Sequence, residues 1–177
     1  MPAIAGAPLG VLDLSPITAG STAADALRRT VDLAQQAERL GYGRYWLADR
    51  KQFRASDRLA APRLMAGVNV VTAETGDEAH CLFSSLQQVF IALRQGRPGP
   101  LPPPDEHFER RLAPHERTLL DSMLAASFVG EPDTVARGLE AFVRTTGVDE
   151  LIVATQVFDH RARVRSYELL AERAGSE

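Results

Sequence analysis

Few residues of this chain stand where they could do chemistry. Cys81 is its one cysteine. A thiol attacks as the thiolate, which needs a neighbouring base and a lowered pKa. The residue falls just after a helix start, where the helix dipole would help, but a buried, inert thiol is the more ordinary reading. The four histidines, His80, His107, His115 and His160, have no partners at metal-ligand spacing, so no zinc or iron site is expected. His160 follows the last strand and is the best-placed general acid or base. Its plainer fate is an exposed position in the first turn of the final helix. No Gly-x-Ser-x-Gly elbow supports hydrolase chemistry, and no glycine-rich loop of the known kinds cradles a phosphate. Two aspartates at strand ends remain, Asp13 and Asp49. Either could orient a ligand. The plainer reading of Asp13 is a backbone hydrogen bond at its strand end, and that of Asp49 a turn residue.

The elements that must position these groups alternate. "LGVLDLS" (9–15) reads as a short buried strand. Thr22 with Asp25 three residues on is a capping pattern, and Leu27, Val31, Ala34 and Leu40 then recur at helical spacing up to Gly41. "RYWLA" (44–48) is a second strand and "LMAGVNVVTA" (64–73) a third. Thr75 and Glu78 open a helix carrying Leu82, Phe83, Leu86, Phe90 and Leu93, which ends at Gly96. The proline-rich "RPGPLPPPDE" (97–106) cannot be helix or central strand; it reads as a stiff, extended connector on the surface. Helices are expected over 114–126 and over 130–148, where Pro132 suits a first turn. "DELIVATQV" (149–157) is a fourth strand, and a helix capped by Asp159 closes the chain. Strands alternating with helices predict parallel pairing and right-handed crossovers. One join breaks the pattern: the strand ending at Ala48 runs straight into Arg50-Lys51-Gln52 and a polar connector, with no helix after it.

Bulk properties are those of an ordinary globular domain. Of its 177 residues, 45% are apolar and 24% charged, enough for a core of its own. A net charge of −3 with both signs interspersed gives no reason to expect nucleic acid or an anionic membrane as partner. The single cysteine excludes a disulfide framework. Neither a signal peptide nor a membrane-length apolar run is legible, so a cytoplasmic protein is expected.

Three stretches carry a resemblance. "LGVLDLSPITAGSTAADALRRTVDLAQQAERLGYGRYWLAD" (9–49) resembles the first strand, helix and second strand of the bacterial-luciferase-like, flavin-dependent monooxygenases. "FRASDRLAAPRLMAGVNVVTAETGDEAHCLFSSLQQVFIALRQGRPGPLPPP" (53–104) looks like the family's segment around the seventh strand. "SFVGEPDTVARGLEAFVRTTGVDELIVATQVFDHRARVRSYELLAE" (127–172) looks like its eighth strand with flanking helices. The family fold is a (β/α)8 barrel, which takes roughly 250 residues. By this resemblance the chain is a single domain over 1–177, with a β-α-β part in 1–50 and a β-α-β-α part in 51–177. It keeps units one, two, seven and eight and lacks the middle of the barrel, with the junction near Arg50.

The resemblance implies an α/β fold, a parallel half-barrel derived from a (β/α)8 TIM barrel. Its four strands would lie in the spatial order seven, eight, one, two. Such a half leaves an uncovered inner face and two open edges, which invite pairing with another chain; a homodimer is expected. It also implies FMN as cofactor, with oxygen and a small organic substrate as reactants. The cofactor would lie at the C-terminal ends of the strands, and Asp13, Ser15, Asp49 and Gln156 are the residues expected to bind it. The family's loop after strand two typically reads Ala-Glu-His-His; here Asp49 stands at its glutamate, and Arg50 and Lys51 stand at its histidines. No catalytic residue can be named. The other function left open is a non-catalytic one, a flavin-binding or interaction protein that dimerises or pairs with a full-length relative.

Overall fold

The structure is a computed structural model, and it describes residues 2–47 and 64–175. The sheet starts with β1 (Ala3–Ile4), which forms a tight antiparallel hairpin with β2 (Ala7–Asp13). Ala5 and Gly6 both take positive φ at the turn between them. Helix α1 (Ala23–Arg39) leads to β3 (Tyr45–Leu47), which pairs in parallel with β2. Further on come β4 (Met65–Thr72), α2 (Gly76–Arg94), α3 (Phe108–Arg111), α4 (Pro114–Met123), β5 (Ser127–Gly130), α5 (Pro132–Thr146), β6 (Glu150–Ala154) and α6 (His160–Ala174). All neighbours except the β1 hairpin are parallel, and the strands lie in the order β5, β4, β6, β2, β3. The fold is an α/β half-barrel sheet. The last strand in the sequence, β6, therefore sits in the middle of the sheet, between β2 and β4.

The helix starts follow from their caps. At α1 the Asp25 amide donates to Thr22 Oγ1 at 3.2 Å, and the Asp25 carboxylate accepts from the Thr22 amide at 2.8 Å. The Glu78 amide donates to Thr75 Oγ1 at the start of α2, and the Ala162 amide donates to the Asp159 carboxylate at the start of α6. Pro132 occupies the first turn of α5, and Gly147 closes that helix at φ 66°, a conformation that favours glycine.

Side chains alternate across the sheet and build two cores. Leu9, Val11, Val68, Val70, Leu151 and Val153 face α1, α5 and α6. Val71 and Val129 point the other way, onto Phe83 and Leu86 of α2, Leu120 of α4 and Leu124 just past its end. The expected bare inner face is thus partly covered: α2 and α4 close it over the C-terminal part of β4 and over β5.

Three further differences from the sequence reading are physical. Strand β5 was not expected, and it extends the sheet beyond β4. The first long strand ends at Asp13, two residues early, because Ser15 adopts φ 45° and turns the chain. In α1 the buried stripe is Ala26, Thr30, Leu33 and Ala37, while Leu27 and Val31 are exposed.

The proline-rich segment is more than a surface connector. The Leu101 amide donates to the Ile17 carbonyl at 2.9 Å, and the Ala19 amide donates to the Leu101 carbonyl at 2.8 Å. Leu101 itself is only 4% exposed. The segment is a strap pinned to the loop between β2 and α1. Gln88 holds it again through the Pro103 carbonyl at 3.0 Å.

Candidate functional site at the C-terminal ends of the strands

In a parallel α/β sheet the strand ends and the loops after them are where ligands are bound. Here those ends are held by one buried polar network. Asp13 closes β2 and is fully buried; Arg163, on α6, is 3% exposed, and the two form an ion pair. The guanidinium also donates from Nε to the Thr155 carbonyl at 2.8 Å, just beyond β6. The second Asp13 oxygen accepts from the Tyr45 hydroxyl on β3 at 2.7 Å, and that hydroxyl lies 3.1 Å from the Thr30 carbonyl on α1. The Ser15 amide donates to the Asp13 carboxylate at 2.7 Å. One carboxylate thus ties β2, β3, α1 and α6 together and fixes the turn after β2.

The electrostatics follow from that geometry. Burial pushes the Asp13 carboxyl up, but the Arg163 charge and the hydrogen bonds from Arg163 and Tyr45 outweigh it, and the group titrates below its ordinary value. Burial and the neighbouring Asp13 carboxylate hold the Tyr45 phenol protonated far above its ordinary range.

A second layer sits behind the network. Thr155 donates its hydroxyl to the Val70 carbonyl at 2.8 Å, and its amide donates to the Tyr167 hydroxyl at 3.1 Å. The Tyr42 hydroxyl donates to the Tyr167 carbonyl at 2.9 Å, with the two rings edge to face. The Thr72 amide at the end of β4 donates to Ser166 Oγ at 2.8 Å.

The residues expected to hold a cofactor fare differently. Asp13 faces the helix layer, and both its oxygens are spent on the network. The Ser15 hydroxyl accepts from the Thr30 hydroxyl at 2.9 Å, so it too is engaged inside the protein. Gln156 is half-buried two residues past the end of β6. Asp49 lies outside the described residues. Measured against FMN, Asp13 has no oxygen to spare, whereas the half-buried Ser15 accepts from Thr30 and keeps its own hydroxyl proton to donate. What they do is shape and stiffen the rim.

His160 is not the exposed residue expected. It is the first residue of α6, its side chain is 19% exposed, and Nε2 lies 2.7 Å from Asp32 Oδ2 on α1. It lines a cavity of about 440 Å³ with Ser21, Arg29 and Arg161. Cys81, on α2, is half-buried; burial first, then the carboxylates of Glu106, Asp105 and Glu78, raise its pKa, the opposite of what a nucleophilic thiol needs. Among the described residues no group of histidine, cysteine and carboxylate side chains could hold a metal ion. No described helix is long and apolar enough to cross a membrane.

Sequence reasoning missed Arg163, the residue that organises the rim. A signal was present: Arg163 stands at helical spacing before Tyr167, Leu170 and Ala174, in register with the buried stripe of α6.

Comparison with known proteins gives the chain relatives. Over 120 residues the chain is 39% identical to a luciferase-like monooxygenase of Escherichia coli (strain K12), covering 68% of this chain and 36% of that one. The chain is similar to luciferase-like monooxygenases. A second relative, the N-acetyl-S-alkylcysteine monooxygenase of Bacillus subtilis (strain 168), is 46% identical over 61 residues, covering 33% of this chain and 17% of its own. The chain therefore spans little more than a third of the first relative's length and less of the second. Among solved structures, apo-MsnO8 superposes with a TM-score of 0.79 at 18% identity, covering 94% of this chain and 98% of that one, a likeness of fold. No family model matches the chain.

Proposed function

We propose that this chain is half of a luciferase-like, flavin-dependent oxidoreductase, and that two copies join through the outer edges of β3 and β5 to complete a working mouth. In that assembly FMN would be the cofactor, and oxygen and a small organic molecule the reactants. The 39% identity to a luciferase-like monooxygenase over 120 residues carries the reading. It is supported by the sheet itself, whose parallel strands end at one rim and whose outermost strands pair on one side only within the described residues. Open edges of parallel strands favour association with another strand.

One observation favours a second reading. The one carboxylate at the end of β2, Asp13, already has both oxygens engaged inside the protein. A chain whose rim is occupied in this way suits a non-catalytic partner, which pairs with a full-length relative instead of turning over substrate.

Light scattering on a sizing column, with the protein pre-mixed with FMN and visible absorbance followed across the peak, separates the two. The first reading requires a peak of twice the chain mass that carries flavin colour, and oxygen uptake when that fraction receives reduced FMN. A colourless peak rejects it. A colourless peak that shifts in mass on adding a full-length luciferase-like monooxygenase moves the partner role to first place.

A further inference from the structure

The cavity of about 440 Å³ beside His160 opens between the loop after β2 and the start of α6. That volume is within the range of small-molecule sites. Its lining sets two guanidiniums, Arg29 of α1 and Arg161 of α6, against one carboxylate, Asp159. That carboxylate is committed to the helix it caps, where its Oδ1 accepts from the Ala162 amide at 2.8 Å.

The arginine on α1 is held in place. Arg29 is half-buried, and its Nη1 donates to Thr18 Oγ1 at 2.8 Å. The Thr18 hydroxyl gives its own proton to Ser21 Oγ at 3.0 Å, and the Ser21 hydroxyl donates to the Thr18 carbonyl at 2.9 Å. Both hydroxyl protons are spent, so this relay steadies Arg29 rather than meeting a ligand. It takes one donor of the guanidinium fork and leaves the others. Among the described residues neither Arg29 nor Arg161 has an ion-pair partner, unlike Arg163 and Arg165 of the same final helix. His160 is spoken for by Asp32, and Phe158 adds an aromatic side chain to the lining. A guanidinium carries only donors, in a planar fork that matches the oxygens of a phosphate or carboxylate. Two such forks from different elements at one cavity suit a doubly charged oxyanion with several oxygens.

We propose that this cavity binds a phosphate monoester. The phosphate takes donors from Arg29 and Arg161, and the organic part lies against Phe158. An amine of the same shape is refused by like charge and because it brings no acceptor to the two forks. The proposal does not rest on the flavin reading: a colourless peak on the sizing column leaves it standing.

Nitrogen-labelled full-length chain in phosphate-free buffer, titrated with phenyl phosphate, benzoate and benzylamine and followed by NMR, tests it. Phenyl phosphate should give saturable shifts at the amides of Gly20, Ser21 and Arg161. It should bind about tenfold tighter than benzoate, with benzylamine silent. Arg29→Gln and Arg161→Gln should each weaken it about tenfold. Arg137→Gln removes an exposed arginine of α5 outside the cavity lining, and should leave the affinity unchanged. No saturable shift at the cavity, equal binding of benzoate, or equal losses in Arg161→Gln and Arg137→Gln would overturn the proposal, the last because only diffuse charge attraction would be at work. Should Arg29→Gln fail to fold, the exposed pair Arg161→Gln and Arg137→Gln decides alone. Two further titrations name the source of the ester once phenyl phosphate binds. Displacement by FMN and not by riboflavin assigns the flavin's own phosphate, and phenyl phosphate that FMN leaves in place assigns a separate phosphate ester.

Discussion

Asp13 and Arg163 stand 150 residues apart in the sequence and form an ion pair sealed from solvent. The pair is the keystone of the rim: it joins the end of β2 to α6 and, through Arg163, to the carbonyl after β6. Charges this deep are costly to bury and are tolerated because both Asp13 oxygens and the Arg163 Nε have further partners.

Arg163→Met should therefore destabilise strongly, by about 3–5 kcal/mol, because it strands the Asp13 carboxylate in a dry site. Asp13→Asn combined with Arg163→Met should recover a large part of that loss, since neither charge is then left alone. Urea denaturation of the three variants checks this, with an unchanged slope showing that the same fold is being unfolded. Equal losses in the single and double variants would contradict it.

Acid should act through the same carboxylate. Asp13 titrates below its ordinary 3.8 in the folded chain, so the unfolded chain takes up that proton first as pH falls. Its stabilisation is whole above about pH 4 and is lost as pH falls from there through the folded-state value. Asp25 behaves likewise: hydrogen bonds from Thr22, then Arg28, hold it down to about 2. Melting temperature should be level through mildly acidic pH and fall below about pH 4. In Arg163→Met the gap to the unaltered chain should narrow with acid, because protonating a stranded carboxylate relieves it.

At Gly138, mid-helix in α5, two effects oppose each other. Alanine is intrinsically better in a helix by about 1 kcal/mol. Yet a Cβ there would lie 2.9 Å from Cδ1 of Phe128 on β5, and that ring is braced edge-on by Phe142. Overpacking of this kind costs about 1–3 kcal/mol. Gly138→Ala should be net destabilising, and in a Phe128→Leu background the same change should turn neutral or stabilising. Thermal melts of the four combinations read the sign directly.

The strap makes a local prediction. Leu101→Ala removes a buried side chain at the point where the strap meets the β2–α1 loop, and should cost about 2 kcal/mol or more. The Ala19 amide, which donates to the Leu101 carbonyl, should exchange its hydrogen faster, while amides in the middle of β6 keep their protection relative to global unfolding. Uniform loss of protection would mean that the strap is part of the core unit.

Local features were legible in the sequence, and relations across it were not. The caps at Thr22, Thr75 and Asp159 are short-range patterns, and each is found in place. Parallel pairing followed from alternation of strand and helix. Strand β5 was missed because Ser127–Gly130 is too short to show a period and runs directly into Pro132. The exposed face of α1 was misread because Leu27 and Val31 outweigh Ala26 and Thr30 in apolarity, although the buried stripe runs through Ala26, Thr30, Leu33 and Ala37. Asp13 was singled out correctly as a polar residue at a strand end, but its partner is on the last helix. Nothing in a local pattern reports that, and so the brace that Asp13 forms with Arg163 could not be read from the sequence.

Strand β6 has a consequence for how the chain is made. Its neighbours, β2 and β4, are on opposite sides of an opening that only Glu150–Ala154 can fill. On the ribosome everything up to α5 emerges first, as two sheet fragments exposing the flanks meant for the missing strand. The chain must hold those sticky flanks apart until Glu150–Ala154 reach them. The arrival of β6 is then the step at which the sheet either becomes one body or captures a strand from a neighbour.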